Sequence, residues 1–239
     1  MKSPEMKKVD KIKLVTHCNS GNEEYLFKEY LIYKLYNVLT DYSFKVRLVK
    51  IDYISTAKNQ KIIRSYAFLI EPLNILAERT RAVPIESLAI TYKNIIPAML
   101  DRMTIFNYMI GNTDWSLAGQ HNLKVLSVID SENPGLGAVV PYDFDYAGLV
   151  NAHYALPAEG LGLENVKQRR FLGYCKSEEQ YARALIEFSE NKAEFYRIIN
   201  DFTYLNAKEK KFMTAYLDEF YKELEKGILI PALLRECKQ

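Results

Sequence analysis

Written as a helix, residues 25–39 are apolar around most of the circumference, with Leu26, Tyr30, Leu31, Tyr33, Leu35 and Val38 spread over nearly every side. A helix with so little polar face cannot lie on a surface and has to be sandwiched between two layers of structure. Only Glu24, Lys28 and nearby polar groups mark a wet side. The neighbouring segments supply one of those layers. Residues 11–15 alternate as K-I-K-L-V and predict a strand, followed by turn residues and the acids that open a helix. Residues 43–54 set Phe44, Val46 and Leu48 against Lys45 and Arg47, the pattern of a half-exposed strand. Residues 62–71 contain the unbroken apolar run Tyr66 to Ile70, as in a central strand, and T-A-K-N-Q-K between the two predicts a hairpin.

From Pro72 onward the character turns helical. Residues 84–110 are apolar at helical spacing, with Pro97 marking a break between two helices. Residues 123–129 and 137–142 predict two short strands joined by S-E-N-P-G-L-G, and residues 146–170, with Pro157 and several glycines, predict a long irregular segment. Helices are expected over 178–189, 192–202 and 207–224, the last with Phe212, Tyr216, Phe220 and Leu224 along one face. The class is α+β, with a small strand-and-helix lobe over residues 1–71 and a mainly helical lobe over 72–239 that carries a hairpin in its middle. A ligand is expected in the cleft between them.

At 239 residues and 49% apolar, the chain is long enough for one sizeable core or two closely packed lobes. Its 32 basic and 30 acidic residues nearly cancel, so the charge balance does not favour nucleic acid as a partner. No apolar run approaches the roughly 20 residues of a membrane span, and the basic start has no apolar segment behind it, so the expected location is cytoplasmic. A signal peptide upstream of Met1 in a longer native chain would change that to export. Cys18, Cys175 and Cys237 are odd in number and lack C-x-x-C spacing, which predicts reduced, partly buried thiols and no zinc site.

Between residues 106 and 150 the chain carries G-N-T-D, an H-N pair leading into an apolar run, and then P-Y-D-F-D-Y-A-G. Gly111-Asn112 is a helix stop that throws Asp114 onto a tight loop, where a carboxylate can accept the proton of an attacking hydroxyl. Asn122, at the entry to a strand, offers a neutral oxygen of the kind magnesium takes. His121 beside it reads as a packing or hydrogen-bonding residue, since no second His or Cys is spaced to share a metal. Asp143 and Asp145 are two apart, so on extended backbone both face the same way, with Phe144 turned into the core.

These motifs resemble the protein-kinase-like superfamily, and within it the spore-coat-protein-H-type kinases, with HipA-type and aminoglycoside or choline kinases as more distant relatives. G-N-T-D at 111–114 is similar to the HipA-type catalytic loop, and D-F-D-Y-A-G at 143–148 to the metal motif of choline and aminoglycoside kinases. K-L-V-T-H-C at 13–18, E-Y-L-I-Y-K-L-Y-N at 29–37, S-F-K-V-R-L at 43–48 and Y-A-F-L-I-E at 66–71 resemble the amino-terminal lobe of the spore-coat-type branch. The resemblance implies a two-lobe kinase-like fold with a reduced amino-terminal lobe, and an ATP- and magnesium-dependent transfer of a γ-phosphate to a hydroxyl of a protein or small molecule. It implies Asp114 as the catalytic carboxylate, Asn122 and Asp143 as magnesium ligands with Asp145 beside them, and residues 70–73, with Glu71 and Leu73, as the hinge meeting the adenine. Lys13 stands where a phosphate-pairing lysine is sought, with Glu29 as its ion-pair partner. Two departures are plain: Asn122 follows Asp114 by eight residues, where the family uses about five, and no G-x-G-x-x-G precedes the first strand. The second departure supports an alternative function, a catalytically inactive kinase-like module that binds a nucleotide or a protein.

Overall fold

In the computed structural model, which describes residues 11–16, 22–56, 62–85, 89–129 and 132–238, the first sheet has the order β1-β3-β2 and is antiparallel throughout. β1 (Lys13–Thr16) and β2 (Val46–Ile54) flank β3 (Ile62–Ile70), with Lys13 and Val46 both opposite Ile70. The apolar run of β3 is the central strand and β2 pairs antiparallel with it, while the expected turn between them lies outside the described residues.

α1 (Glu23–Leu39) lies across this sheet, and Leu31, Ile32, Tyr33 and Leu35 are almost wholly buried. Phe68 of the sheet packs between Tyr30 and Tyr33, at 5.9 and 5.7 Å between ring centroids. On the helix's other flanks Tyr36 meets Phe106 at 4.7 Å and Tyr33 meets Phe144 at 4.9 Å. The helix is therefore the sandwiched element its sequence demands. Lys28 is not on a wet side, however. It is buried, pairs with Glu209 at 2.9 Å, and sits over the rings of Tyr25 and Phe212. A long lysine stem crosses apolar surface easily when its ammonium finds a carboxylate at the end.

Residues 73–110 differ from the expected pair of helices. They form a short α2 (Leu73–Arg79), a strand β4 (Ala82–Pro84), a 3-10 turn (Tyr92–Asn94) and one long helix, α3 (Pro97–Ile110). In place of the first expected helix, β4 docks antiparallel on β5, with Ala82 opposite Val128 and Pro84 opposite Leu126, and residues 89–96 hold only the 3-10 turn, while residues 86–88 lie outside the described residues. Pro97 opens a helix instead of breaking one, since the first helical position has no use for an N–H.

β5 (Leu123–Val128) and β6 (Gly137–Pro141) form the second hairpin, giving a sheet of order β4-β5-β6. α4 (Glu178–Glu190), α5 (Lys192–Asp201) and α6 (Ala207–Glu225) match the three expected helices. A further helix, α7 (Leu229–Glu236), follows Gly227, whose φ of 70° ends α6. Pro231 is tolerated there because it lies in the first turn.

The molecule is thus mixed α+β, with two small antiparallel sheets among seven α-helices in the described residues. Among those residues no helix is long and apolar enough to cross a membrane. The reduced-thiol expectation is corrected: Cys175 and Cys237 form a disulfide with Cα atoms 4.9 Å apart, while Cys18 lies outside the described residues. Sequence spacing hid this pair because 62 residues separate its members.

Candidate functional site

α3 ends at Gly111 in the left-handed conformation, φ 68°. The chain turns there onto Asn112, which is buried. Its amide nitrogen donates to Asn107 Oδ1 at 2.9 Å and its oxygen accepts from the Asp114 backbone N–H at 3.0 Å. Asn107 in turn donates to the carbonyl of Met103 inside the helix. Asp114 is therefore hung from the core of α3 by a two-asparagine ladder, and the Asx turn of the loop belongs to Asn112.

The loop after Asp114 buries Trp115 and Leu117. It then closes through two backbone hydrogen bonds exchanged between Ser116 and His121, at 3.1 and 2.9 Å. Asn122 follows with φ 54°. Its amide nitrogen donates to the Asp114 backbone carbonyl at 2.8 Å and to Asp114 Oδ2 at 2.9 Å. Because nitrogen is occupied in this way, oxygen is the end of the amide suited to a cation. The Asn122 carbonyl also accepts the Tyr142 N–H at 3.0 Å, which ties this residue to the strand that delivers Asp143.

Asp143 adopts φ 63°, so it and Asp145 do not belong to an extended run. They nevertheless line one small cavity of about 90 Å³ together with Glu29, because the turn after β6 redirects both. The Asp143 N–H donates to the buried Tyr33 hydroxyl at 2.9 Å. Phe144 is fully buried, as its position between two acids suggests. The turn is then bonded back to the end of α3, with Gly148 N–H to Gly111 O at 3.0 Å and Leu149 N–H to Ile110 O at 2.9 Å. Among the described residues, three of the five non-glycine residues with positive φ, Gln120, Asn122 and Asp143, sit in this one site. Backbone held in sparsely used conformations concentrates where surrounding structure has a use for it.

Lys13 Nζ lies 3.4 Å from Asp143 Oδ2, so the expected pairing with Glu29 is replaced by one with Asp143. Glu29 is buried, and its Oε1 has no hydrogen-bond partner. Burial, followed by the charges of Asp145 and Asp143, pushes its carboxyl up to about 8, against a hydrogen bond from the Phe144 backbone and the charge of Lys13. Asp145 is also raised, first by burial and then by Asp143, while the Tyr154 hydroxyl bonds it. The sequence marks Glu29 only as a partner for Lys13, and its place beside Asp143 and Asp145 appears only in the folded chain.

On the other side of Lys13 a cavity of about 690 Å³ opens between the first sheet and β5–β6. Phe44, Ile70, Leu73 and Tyr142 give it apolar walls, and Lys11, Lys13 and Lys124 give it positive charge. Lys13 and Lys124 both lie over the Tyr142 ring, at 5.3 and 5.6 Å from its centroid. Lys13, Glu71 and Leu73, the residues expected to meet the nucleotide, all line this cavity. The Glu71 carboxylate itself is engaged elsewhere, held by Arg79 at 3.1 and 2.9 Å and by the Lys45 N–H. Its backbone N–H is taken as well, donating to the Lys45 carbonyl at 2.9 Å. Phe44, Lys124 and Tyr142 were missed, although the alternation of β5 marks Lys124 as the polar residue between two buried ones.

Among the described residues no three His, Cys, Asp or Glu side chains converge closely enough to enclose a metal ion by themselves. Magnesium does not require that, since one or two carboxylates with substrate phosphates and water complete its shell. The donors here, the Asn122 amide oxygen and the carboxylates of Asp143 and Asp145, are all hard oxygens of the right kind. Arg169, in contrast, is structural: it donates to the carbonyls of Met109 and Tyr216 and stacks 4.0 Å over the Tyr216 ring. Compared with protein-family models, curated proteins and solved structures, the chain matches none.

Proposed function

We propose that this protein is an ATP- and magnesium-dependent phosphotransferase that moves a γ-phosphate to a hydroxyl of a protein or small molecule. One observation carries the proposal: Asn122 bonds the Asp114 carboxylate through its side chain and the strand leading to Asp143 through its carbonyl. Three residues spread over the sequence are thereby gathered beside a lysine-lined cavity. In a two-lobe kinase-like interpretation, β1 to β3 with α1 make up the reduced first lobe, and residues 70–73 are the crossover to the second.

Phosphoryl transfer asks a protein for positioning and charge neutralisation more than for covalent chemistry. Asp114 orients the acceptor hydroxyl and takes its proton. Asn122 and Asp143, with Asp145 behind them, hold magnesium, which supplies charge compensation on the phosphates when bound. Lys13 and Lys124 add positive charge at the same phosphates, and the apolar walls of the cavity enclose the base. Apolar faces with a few convergent polar groups are the usual composition of such a pocket.

The test is incubation of the whole chain with labelled ATP and magnesium, reading autophosphorylation and phosphate release. Asp143→Ala is expected to lose metal-dependent nucleotide binding, and Asp114→Ala to retain that binding while turnover falls by about 10²–10⁴. Unchanged turnover in Asp143→Ala would remove the assignment. The Lys13–Asp143 ion pair favours a second function, a nucleotide-binding module without catalysis, because it engages the carboxylate that the ion needs. That alternative predicts a nucleotide-induced rise in Tm with no phosphate released.

A further inference from the structure

The segment between Asp114 and Asn122 folds back on itself instead of crossing directly. Trp115 and Leu117 anchor its start in a small apolar cluster with Met103, Leu123 and Val125. Gly119 N–H donates to Ser116 Oγ at 3.0 Å, and the paired bonds between Ser116 and His121 close the loop. The result returns the His121 ring to the aspartate, with Nε2 3.0 Å from Asp114 Oδ1. A carboxylate oxygen facing a ring nitrogen at that distance requires the proton to be on the nitrogen, so His121 donates. Asn122 already donates to the other oxygen, Oδ2.

Resting on the phosphotransferase proposal above, we infer that His121 is a positioning residue for the transfer, clamping the Asp114 carboxylate from the solvent side while Asn122 clamps it from the protein side. A carboxylate at the tip of a loop otherwise rotates about two side-chain bonds. Two donors on different oxygens fix its plane, and each oxygen keeps a lone pair with which to meet the incoming hydroxyl. The residues inserted between Asp114 and Asn122 then have a purpose: they bring a second donor to the carboxylate. In the transfer the acceptor O–H proton passes to Asp114 as the new O–P bond forms and the bond to the leaving phosphate breaks. His121 keeps its Nε2 proton throughout, and Asp114 later yields its proton to water.

His121 is more exposed than Asp114, 57% against 35% for the side chains, so it can be replaced without opening the core. With γ-labelled ATP and magnesium as the probe, His121→Ala is expected to lower kcat by about 10–100-fold, the scale of a small misplacement of a reacting group, with KM for ATP within about twofold. His121→Gln, which restores an N–H donor of similar reach, is expected to recover about tenfold over the alanine variant. An unchanged kcat in His121→Ala, a change confined to KM, or a glutamine variant no better than alanine would each overturn the inference. A second arm does not use turnover. The His121 Nε2–H proton should be visible by NMR in the wild-type chain and lost to exchange in Asp114→Ala, and persistence there would show that no clamp exists. A wild-type chain that neither transfers nor hydrolyses ends the phosphotransferase proposal and this role with it. The NMR arm then reports separately on the contact itself.

Discussion

Glu29 is a carboxyl group with no good reason to be ionised where it is. It is buried beside two other acids, one of its oxygens has no partner, and its carboxyl is pushed up to about 8. The unfolded chain has an ordinary carboxyl, so between the ordinary value and about 8 the folded state binds the extra proton. Stability contributed by this group is full at acid pH and is lost as pH rises through about 8. Without metal, the wild-type chain is therefore expected to lose on the order of a few kcal/mol across that window, and Glu29→Gln to lose much less. Urea unfolding between pH 5 and pH 9, compared for the two chains, measures the difference. Parallel curves would show that Glu29 does not titrate this way. The same physics explains why this residue was only partly legible. Periodicity marks Glu29 as a helical position, but its protonation depends first on burial and then on the charges of Asp145 and Asp143, more than a hundred residues away in the chain.

At the scale of elements, the site is made where the end of α3 meets the turn after β6. Gly111 and Gly148 are bonded to each other there, and both approach the Tyr216 hydroxyl of α6. A Cβ at Gly148 would lie 2.5 Å from that oxygen and from the Val166 carbonyl, and the latter is backbone that cannot swing aside. Gly148→Ala is accordingly expected to destabilise the fold by about 1–3 kcal/mol. On the phosphotransferase proposal, it should also weaken nucleotide binding by loosening Asp143 relative to Asp114. Denaturant midpoints and nucleotide titration of the same preparation test both, and wild-type stability would refute the close approach. Several elements were readable because their signals are local: α1, β2, β3, β5, β6 and α4 to α6 follow their apolar spacing and caps. β4 was not, since three residues become a strand only by pairing with β5.

Across the whole molecule, the disulfide fastens α7 to the segment ahead of α4. It is reinforced by Cys175 N–H to Lys238 O at 2.9 Å and Lys238 N–H to Gly173 O at 2.8 Å. Closing a loop across 62 residues removes chain entropy from the unfolded state worth about 4 kcal/mol. Cys175→Ser with Cys237→Ser, or treatment with a reductant, is expected to lower Tm by roughly 10 °C. Equal melting of the reduced and oxidised chains would contradict the link. Such bonds persist mainly in oxidising compartments. Apolar periodicity, turn residues and motif order were enough to determine the α+β class, the buried first helix and the residues worth watching at 114, 122 and 143. Tertiary structure alone decided that Lys13 meets Asp143 across 130 positions, that Lys28 meets Glu209 across 181, and that Cys175 meets Cys237. Patterning along a chain encodes which face is buried and where the backbone turns. Which distant side chains then meet depends on how those faces pack in three dimensions, and one-dimensional spacing carries no term for that.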